Sequence, residues 1–371
     1  MPRIIYVIND VRFVLTHFGE WLATTLREGR SVVIHSHVET VPEALRVPGI
    51  EISRTEEVRG GFHLPRLWRS AKALRQLSET REPTIIHCFG LHGMAMTALS
   101  RLRGSQVPVV VSITGFGLLA TVRGPMGLPI RLAVRVLAWM LKSPHTMWIA
   151  ENRHDIAFAG LRSEHLAGRV VLVVGAGVDV DKIPALPLAR TQSLRLILIS
   201  RMIWSKGIDL AVAALQLARS QGIDVTLTLV GDPDAGNPRS YQKSQLLEFA
   251  AIPGVIWLGQ RDNIPELLAS HDVFLLPSRG GEGLPKALLE AAAAGRPALV
   301  TDVPGCADFV EDGITGWIVP AEDTSRLAEA IIAACHADLG QMGRAARRKV
   351  ETQASAKMVA RRVNDIYTRL S

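Results

Sequence analysis

The chain has 371 residues, enough for two domains of ordinary size, and its 48% hydrophobic and 21% charged content excludes a disordered polymer while allowing a sizeable core. A formal net charge of +7 suits an anionic partner; with no helix-turn-helix, zinc-finger or RNP-like spacing in view, nucleic acid is set aside in favour of nucleotide diphosphates and anionic lipid headgroups. Cys88, Cys306 and Cys335 make neither a C-x-x-C pair nor a disulfide framework, so a reducing cytosol is the expected compartment.

The N-terminus enters a buried strand at Ile4–Ile8 without the basic, apolar and small-residue order of a signal peptide. Asn9 and Asp10 are expected to open a loop, and Thr16–Arg27 has helical spacing. His17 then falls in a first helical turn, where it either hydrogen-bonds a phosphate or acceptor group or simply caps the helix. No G-x-G-x-x-G follows this strand, so a dinucleotide cofactor is unsupported. Val32–Ser36 and Ile50–Ser53 read as further strands. Pro65–Arg81 reads as a helix with Arg66, Arg69, Lys72 and Arg75 set against Leu67, Ala71, Leu74 and Leu77, either a solvated charged face or one for a membrane surface. Thr84–Cys88 is a strand with His87 near its end. Val109–Ile113 is another, followed by the tight turn Thr114-Gly115-Phe116-Gly117, whose Thr114 hydroxyl can hydrogen-bond. Leu128–Leu141 is the most apolar helical stretch, but Arg131 and Arg135 interrupt it and it is too short to span a bilayer. Either it packs with its arginines snorkelling, or Arg131, Arg135 and Lys142 lie with Trp139 and Leu141 on a membrane.

Strands at Met147–Ala150 and Val170–Val174 lead to Asp179 and Asp181, a D-x-D string. Pro184, Pro187 and the polar run to Ser193 read as a linker. Arg195–Ser200 is the next strand. Arg201 and Lys206 follow it, five positions apart across a loop ending at Gly207. Two such cations suit a diphosphate clamp, because they neutralise charge growing on a leaving group. Val225–Val230 and Val255–Leu258 are strands, and Asp272–Leu276 leads into Ser278–Gly283, a loop that Gly280, Gly281 and Gly283 keep free of bulk. Pro285 belongs in the first turn of a helix that Gly295 and Pro297 end. The helix start offers free backbone N–H groups to an anion. Glu282 and Glu290, eight positions apart, bracket it. Carboxylates beside a phosphate suit sugar hydroxyls; the plainer alternatives are a Lys286–Glu290 pair and a solvated Glu282. Ala354–Leu370 is a last helix with Val359, Val363, Ile366 and Tyr367 on one stripe.

Glu282 and Glu290 resemble the E-x7-E pair of retaining glycosyltransferases of family 4, and the string from Gly281 to Pro320 is similar to the branch acting on undecaprenyl-diphosphate-linked saccharides in bacterial polysaccharide and glycan assembly. Arg201–Gly207 resembles that family's R-x4-K-G motif, Gly175–Asp179 its G-x-G-V-D turn, and Gly231–Pro238 a G-D-P-D-x-x-N-P loop. Asn9–His17 resembles its first loop, and Thr114–Gly117 its T-G-x-G turn. Phe89 stands where the branch often has a histidine, and His92 near its usual lysine. The resemblance implies the GT-B fold: two doubly wound, Rossmann-like α/β domains facing across a cleft. These are an acceptor-side domain, 1–185 with a crossing helix at 354–371, and a nucleotide-sugar domain, 186–353. It implies retaining hexosyl transfer from a nucleotide-sugar, a UDP-sugar by preference, to a lipid-diphosphate-linked saccharide. Arg201, Lys206, Gly283, Leu284 and Pro285 would hold the diphosphate, Glu290 the ribose and Glu282 the donor sugar. Asn9, His17 and Thr114 would face the acceptor. No cofactor and no metal is expected, which makes the D-x-D string incidental. The expected location is cytoplasmic, peripheral on an anionic membrane surface. A GT-B nucleotide-sugar epimerase and a non-catalytic nucleotide-sugar-binding protein are the alternatives.

Overall fold

The computed structural model describes residues 1–56, 63–80, 82–102, 104–116, 127–161, 168–188, 193–281 and 283–371. Its contacts divide the chain into two units, Met1–Gly177 with Ala356–Ser371, and Val178–Ser355.

In the first unit, seven strands form an all-parallel sheet in the order β3-β2-β1-β4-β5-β6-β7. They are β1 (Arg3–Asp10), β2 (Val32–His37), β3 (Ile50–Arg54), β4 (Thr84–Phe89), β5 (Val109–Ile113), β6 (Thr146–Ala150) and β7 (Val170–Leu172). The central strands are apolar runs because both faces of a parallel sheet are covered. Among the described residues between β1 and β7 the α-helices are α1 (Arg12–His17), α2 (Gly19–Arg27), α3 (Leu64–Ser78), α4 (Gly90–Ser100), α5 (Gly127–Leu141) and α6 (Arg153–Phe158). Right-handed crossovers place α2 on one face and α3, α4 and α5 on the other. The core divides the same way: Trp21 and Leu22 pack in one cluster, and Leu67, Leu74, Met94, Val134 and Ala138 in the other.

The second unit has a six-stranded parallel sheet in the order β10-β9-β8-β11-β12-β13. Its strands are β8 (Leu194–Ile199), β9 (Val225–Val230), β10 (Val255–Trp257), β11 (Val273–Leu276), β12 (Ala298–Thr301) and β13 (Gly316–Val319). Its helices are α7 (Ile208–Ser220), α8 (Lys243–Ala250), α9 (Ile264–Ala269), α10 (Lys286–Ala293), α11 (Thr324–His336) and α12 (Leu339–Gln353). Leu196, Leu198, Leu227, Leu229, Leu299 and Ile331 centre its core.

The chain then returns to the first unit as α13 (Ala356–Arg369). The expected stripe of Val359, Val363, Ile366 and Tyr367 is buried there, in the same cluster as Trp21 and Leu22 of α2. A polar chain runs through this otherwise apolar layer. Ser112 Oγ and Tyr367 Oη flank the His87 imidazole at 2.7 and 2.5 Å. Tyr367 donates onward to Tyr6 Oη at 3.3 Å, and Thr25 Oγ1 donates to Asn364 Oδ1 at 3.1 Å. His87 is thus a core histidine whose neutral ring has a partner on each nitrogen.

Several boundaries differ from expectation. β1 continues through Asp10, so Asn9 is a strand residue rather than the opening of a loop. The helix expected over Thr16–Arg27 is two helices, broken at buried Phe18 with φ −116° and ψ 16°. His17 therefore lies in the last turn of α1, not in a first turn. Leu141, which the membrane-lying alternative put on the outward face, is fully buried, as in the packed alternative. Pro285 occupies the capping position ahead of α10.

Burial drives His87 down to about 3 and His35 down to about 4 from an ordinary value of 6.5. The folded protein keeps both rings neutral, while the unfolded chain protonates them below about 6.5. Their contribution to stability is therefore present above that pH and lost as pH falls towards 4 and 3, on the order of 1 kcal/mol per histidine per pH unit. Thermal unfolding measured from pH 7 to pH 4 is expected to show a falling Tm, with a shallower slope in His87→Gln; an unchanged slope would mean that the ring is solvated.

Candidate functional site

The loops after β8, β9 and β11 meet at the C-terminal edge of the second sheet, where open parallel sheets bind ligands. Two glycines make the meeting possible. Gly231 has φ 134°, and a Cβ there would stand 1.9 Å from Ser200 O. Gly207 has φ 69°, and its Cβ would stand 2.0 Å from Pro277 O. Only glycine allows such backbone contact together with these dihedrals. The loop after β8 is thereby drawn against both neighbours.

Arg279 fastens that contact. Its backbone N–H donates to Ser205 O at 2.8 Å, and Ser278 Oγ donates to the same oxygen at 3.2 Å. The Arg279 guanidinium is buried and donates to Trp204 O at 2.7 Å, to both Asp209 carboxylate oxygens at 2.8 Å, and to Glu322 Oε1 at 2.9 Å. Arg239 and Arg279 both lie over the Trp204 indole, with Cζ 3.1 and 4.5 Å from its centroid. Burial alone would raise the Asp209 carboxyl, but hydrogen bonds from Arg279 and from Tyr241, at 2.9 Å, outweigh it and hold the group below its ordinary value. Arg279 is therefore committed to the protein and fixes the shape of the loop that carries Lys206.

Arg201 leaves β8 half-exposed and pairs with the buried Asp234 carboxylate of the loop after β9. Backbone bonds stitch that loop to the Arg201 loop, Met202 N to Asp232 O and Trp204 N to Arg239 O, both 2.9 Å. Asp232 itself acts as a turn residue, its Oδ1 accepting from Gln260 N at 3.1 Å. Lys206 closes the 3-10 turn Trp204–Lys206, immediately before Gly207. Gly283, Leu284 and Pro285 lie between β11 and α10; Leu288 N and Leu289 N donate to Pro285 O at 3.1 and 3.3 Å, which leaves the N–H groups of Lys286 and Ala287 without an intrahelical acceptor. Glu290, on α10, makes the plain contact weighed from sequence: its Oε1 is 3.0 Å from Lys286 Nζ, with 17% of the Glu290 side chain exposed. Glu282 lies outside the described residues.

In the first unit, Asn9 is the penultimate residue of β1 and Thr114 follows β5, with β4 between those strands. Thr114 Oγ1 sits where a Cβ on Gly90, just after β4, would be 3.6 Å away. The Asn9 Oδ1 is buried with no hydrogen-bond partner among the described residues. His17 Nδ1 is 2.8 Å from Thr16 Oγ1, and its ring stacks on Phe13 at 4.9 Å. Phe89 is a core ring, 4.1 Å from His87. Asp179 and Asp181 close a local turn, with Asp181 N donating to Asp179 Oδ1 at 3.2 Å and Lys182 3.3 Å from Asp179. Among the described residues no group of three or more His, Cys, Asp or Glu side chains could hold a metal. The pinning roles of Arg279, Trp204, Asp209 and Tyr241 had no counterpart in the sequence reading; the basic residue beside the glycine run, Arg279, was the one visible signal.

Two family models match. One, described as glycosyl transferase 4-like, covers residues 3–143, and the other, glycosyl transferases group 1, covers residues 193–337, so that together they span most of the chain. The chain belongs to the family 4 glycosyltransferases of GT-B fold. Relatives of this glycosyltransferase include the amylovoran biosynthesis glycosyltransferase AmsK of Erwinia amylovora, 29% identical over 189 residues, or 48% of this chain and 46% of that protein. Another is the N,N'-diacetylbacillosaminyl-diphospho-undecaprenol alpha-1,3-N-acetylgalactosaminyltransferase of Campylobacter jejuni, 32% identical over 135 residues, 36% of this chain and 35% of the relative. The matches span about half the length or less of these curated relatives. Among solved structures, a glycosyltransferase from Rickettsia africae superposes with TM-score 0.79 at 17% identity over 100% of this chain and 98% of its own. Anabaena Alr3699/HepE in complex with UDP-glucose does so with TM-score 0.74 at 17% identity over 100% of both chains. At these identities the likeness is one of fold.

Gly207→Ala is expected to destabilise the glycosyltransferase by on the order of 3 kcal/mol, from strained φ and overpacking together. Gly222 has φ 85° but open space around it, so Gly222→Ala should cost only about 1 kcal/mol. Urea unfolding of the two variants checks the difference.

Proposed function

We propose that the protein transfers a hexosyl group, with retained anomeric configuration, from a UDP-sugar to a lipid-diphosphate-linked saccharide in bacterial surface polysaccharide synthesis. The observation that carries this reading is the close approach of Gly207 to Pro277, which sets the Arg201–Lys206 loop against the loop leading into α10. On this reading the cations of that loop and the free N–H groups at the start of α10 share one diphosphate. The UDP-glucose complex of Anabaena HepE supports a uridine nucleotide, and the name of the Campylobacter relative supports a diphospho-undecaprenol acceptor.

On this reading Arg201 and Lys206 neutralise the charge that grows on the leaving diphosphate, with Gly283, Leu284 and Pro285 bringing backbone close to it. Glu290 accepts hydrogen bonds from the ribose hydroxyls, exchanging part of its Lys286 contact for them, and Glu282 orients the donor sugar through its hydroxyls. The acceptor oxygen attacks the anomeric carbon from the face the diphosphate leaves. Its proton passes to a leaving-group oxygen, so no separate base is required. Asn9, His17 and Thr114 are assigned to the acceptor. A lipid-linked acceptor places the reaction at the cytoplasmic face of an anionic membrane. The reading includes no cofactor and no metal.

Lys206→Ala and Glu282→Ala should each lower kcat/KM by about 10²-fold or more, measured as UDP release with a lipid-linked acceptor and mass analysis of the product. Near-native transfer by both variants would overturn the assignment. Transfer should also persist in EDTA; loss that magnesium restores would place the diphosphate on a metal instead.

A further inference from the structure

We infer that the outward faces of α3 and α5 form a single docking surface for an anionic lipid bilayer. On α5, Leu128, Leu132, Val136 and Trp139 are 69, 62, 45 and 74% exposed. Their spacing puts them on one stripe along the helix, while Val134, Ala138 and Leu141 bury the other side. On α3, Leu64 and Trp68 are 73 and 53% exposed and one turn apart. Both helices pack against α4, so they lie in one layer on the same face of the first sheet. Both begin at the C-terminal edge of that sheet, the edge where Asn9 and Thr114 lie.

Charge identifies the occupant. Neither helix contains an Asp or a Glu, and both carry basic side chains, Arg66, Arg69, Lys72 and Arg75 on α3 and Arg131 and Arg135 on α5. On α5 the basic row flanks the apolar stripe: Arg131 lies 5.7 Å over Phe158 and the stem of Arg135 runs against Gly160. An apolar stripe with tryptophan at its end, bordered by cations, matches the boundary between acyl chains and anionic headgroups. A second copy of the chain fits badly, because a two-fold contact through this face would set cations against cations. No described helix is long and apolar enough to cross a membrane, so the contact is one of lying on the surface. The surface serves the reaction proposed above, on whose lipid-linked acceptor its purpose rests.

The test is co-sedimentation of the full chain with phosphatidylcholine vesicles, with and without phosphatidylglycerol. Wild type should bind the anionic vesicles and be released by salt. The exposed pair Leu132→Ser/Trp139→Ser should lower the partition coefficient about tenfold or more, and Trp139→Phe should retain binding. Arg131→Gln/Arg135→Gln should lower it about fivefold per charge removed. UDP binding to the same preparations, without vesicles, should be unchanged in every variant. Equal vesicle binding by Leu132→Ser/Trp139→Ser, or equal binding without phosphatidylglycerol, would overturn the surface. So would a dimer that this pair of substitutions dissolves, since the stripe would then face a second copy. Failure to bind UDP in a protein that binds vesicles would instead strike the donor reading and leave the surface standing.

Discussion

One buried guanidinium holds the candidate donor site together. The Arg279 guanidinium is closed off from solvent and must be paired, and its partners come from other elements: Asp209 at the start of α7, Glu322 before α11 and the carbonyl of Trp204. Removing it would leave Asp209 half-buried without its main counter-charge and would release the loop between β8 and α7. The Gly207–Pro277 contact depends on the same fastening, since two backbones so close tolerate no drift. The catalytic assignments to Arg201 and Lys206 rest on that loop having one shape.

Electrostatics near Arg201 refine this picture. Its charge is already answered by Asp234, which is largely buried while Arg201 is half-exposed. Under the proposed function, a diphosphate arriving at Arg201 would exchange one anion for another. Such an exchange would lower affinity relative to an unopposed cation and would give the cation a partner to return to when the leaving group departs. The Lys286–Glu290 pair has the same character on α10.

Much of the framework was legible in the sequence. Strands buried on both faces are continuous apolar runs, so β4, β8, β9 and β11 stood out, and Gly295 with Pro297 marked the end of α10. Polar residues at a strand end misled: Asn9 and Asp10 read as loop although β1 pairs through Asp10. The break at Phe18 was invisible because the residue is helix-compatible and only its burial in the core turns the chain. Arg279 had no legible role because its partners lie 43 to 75 positions away in sequence. On α5, composition announced an apolar helix with arginines, but which side remained uncovered depended on α4, and Leu141 proved to face inward while Leu128 and Leu132 faced out.

The return of the chain as α13 has a consequence for how the protein is made. The first unit is discontinuous, its final helix separated from Gly177 by the whole second unit. A ribosome therefore completes Val178–Ser355 before it supplies the helix that covers Trp21 and Leu22. The nascent N-terminal sheet must wait with that face uncovered, a departure from simple N-terminal-first folding that follows from the discontinuous unit. Closing the first unit therefore waits for α13, and loss of that helix would leave the layer around Trp21 and Leu22 open to water.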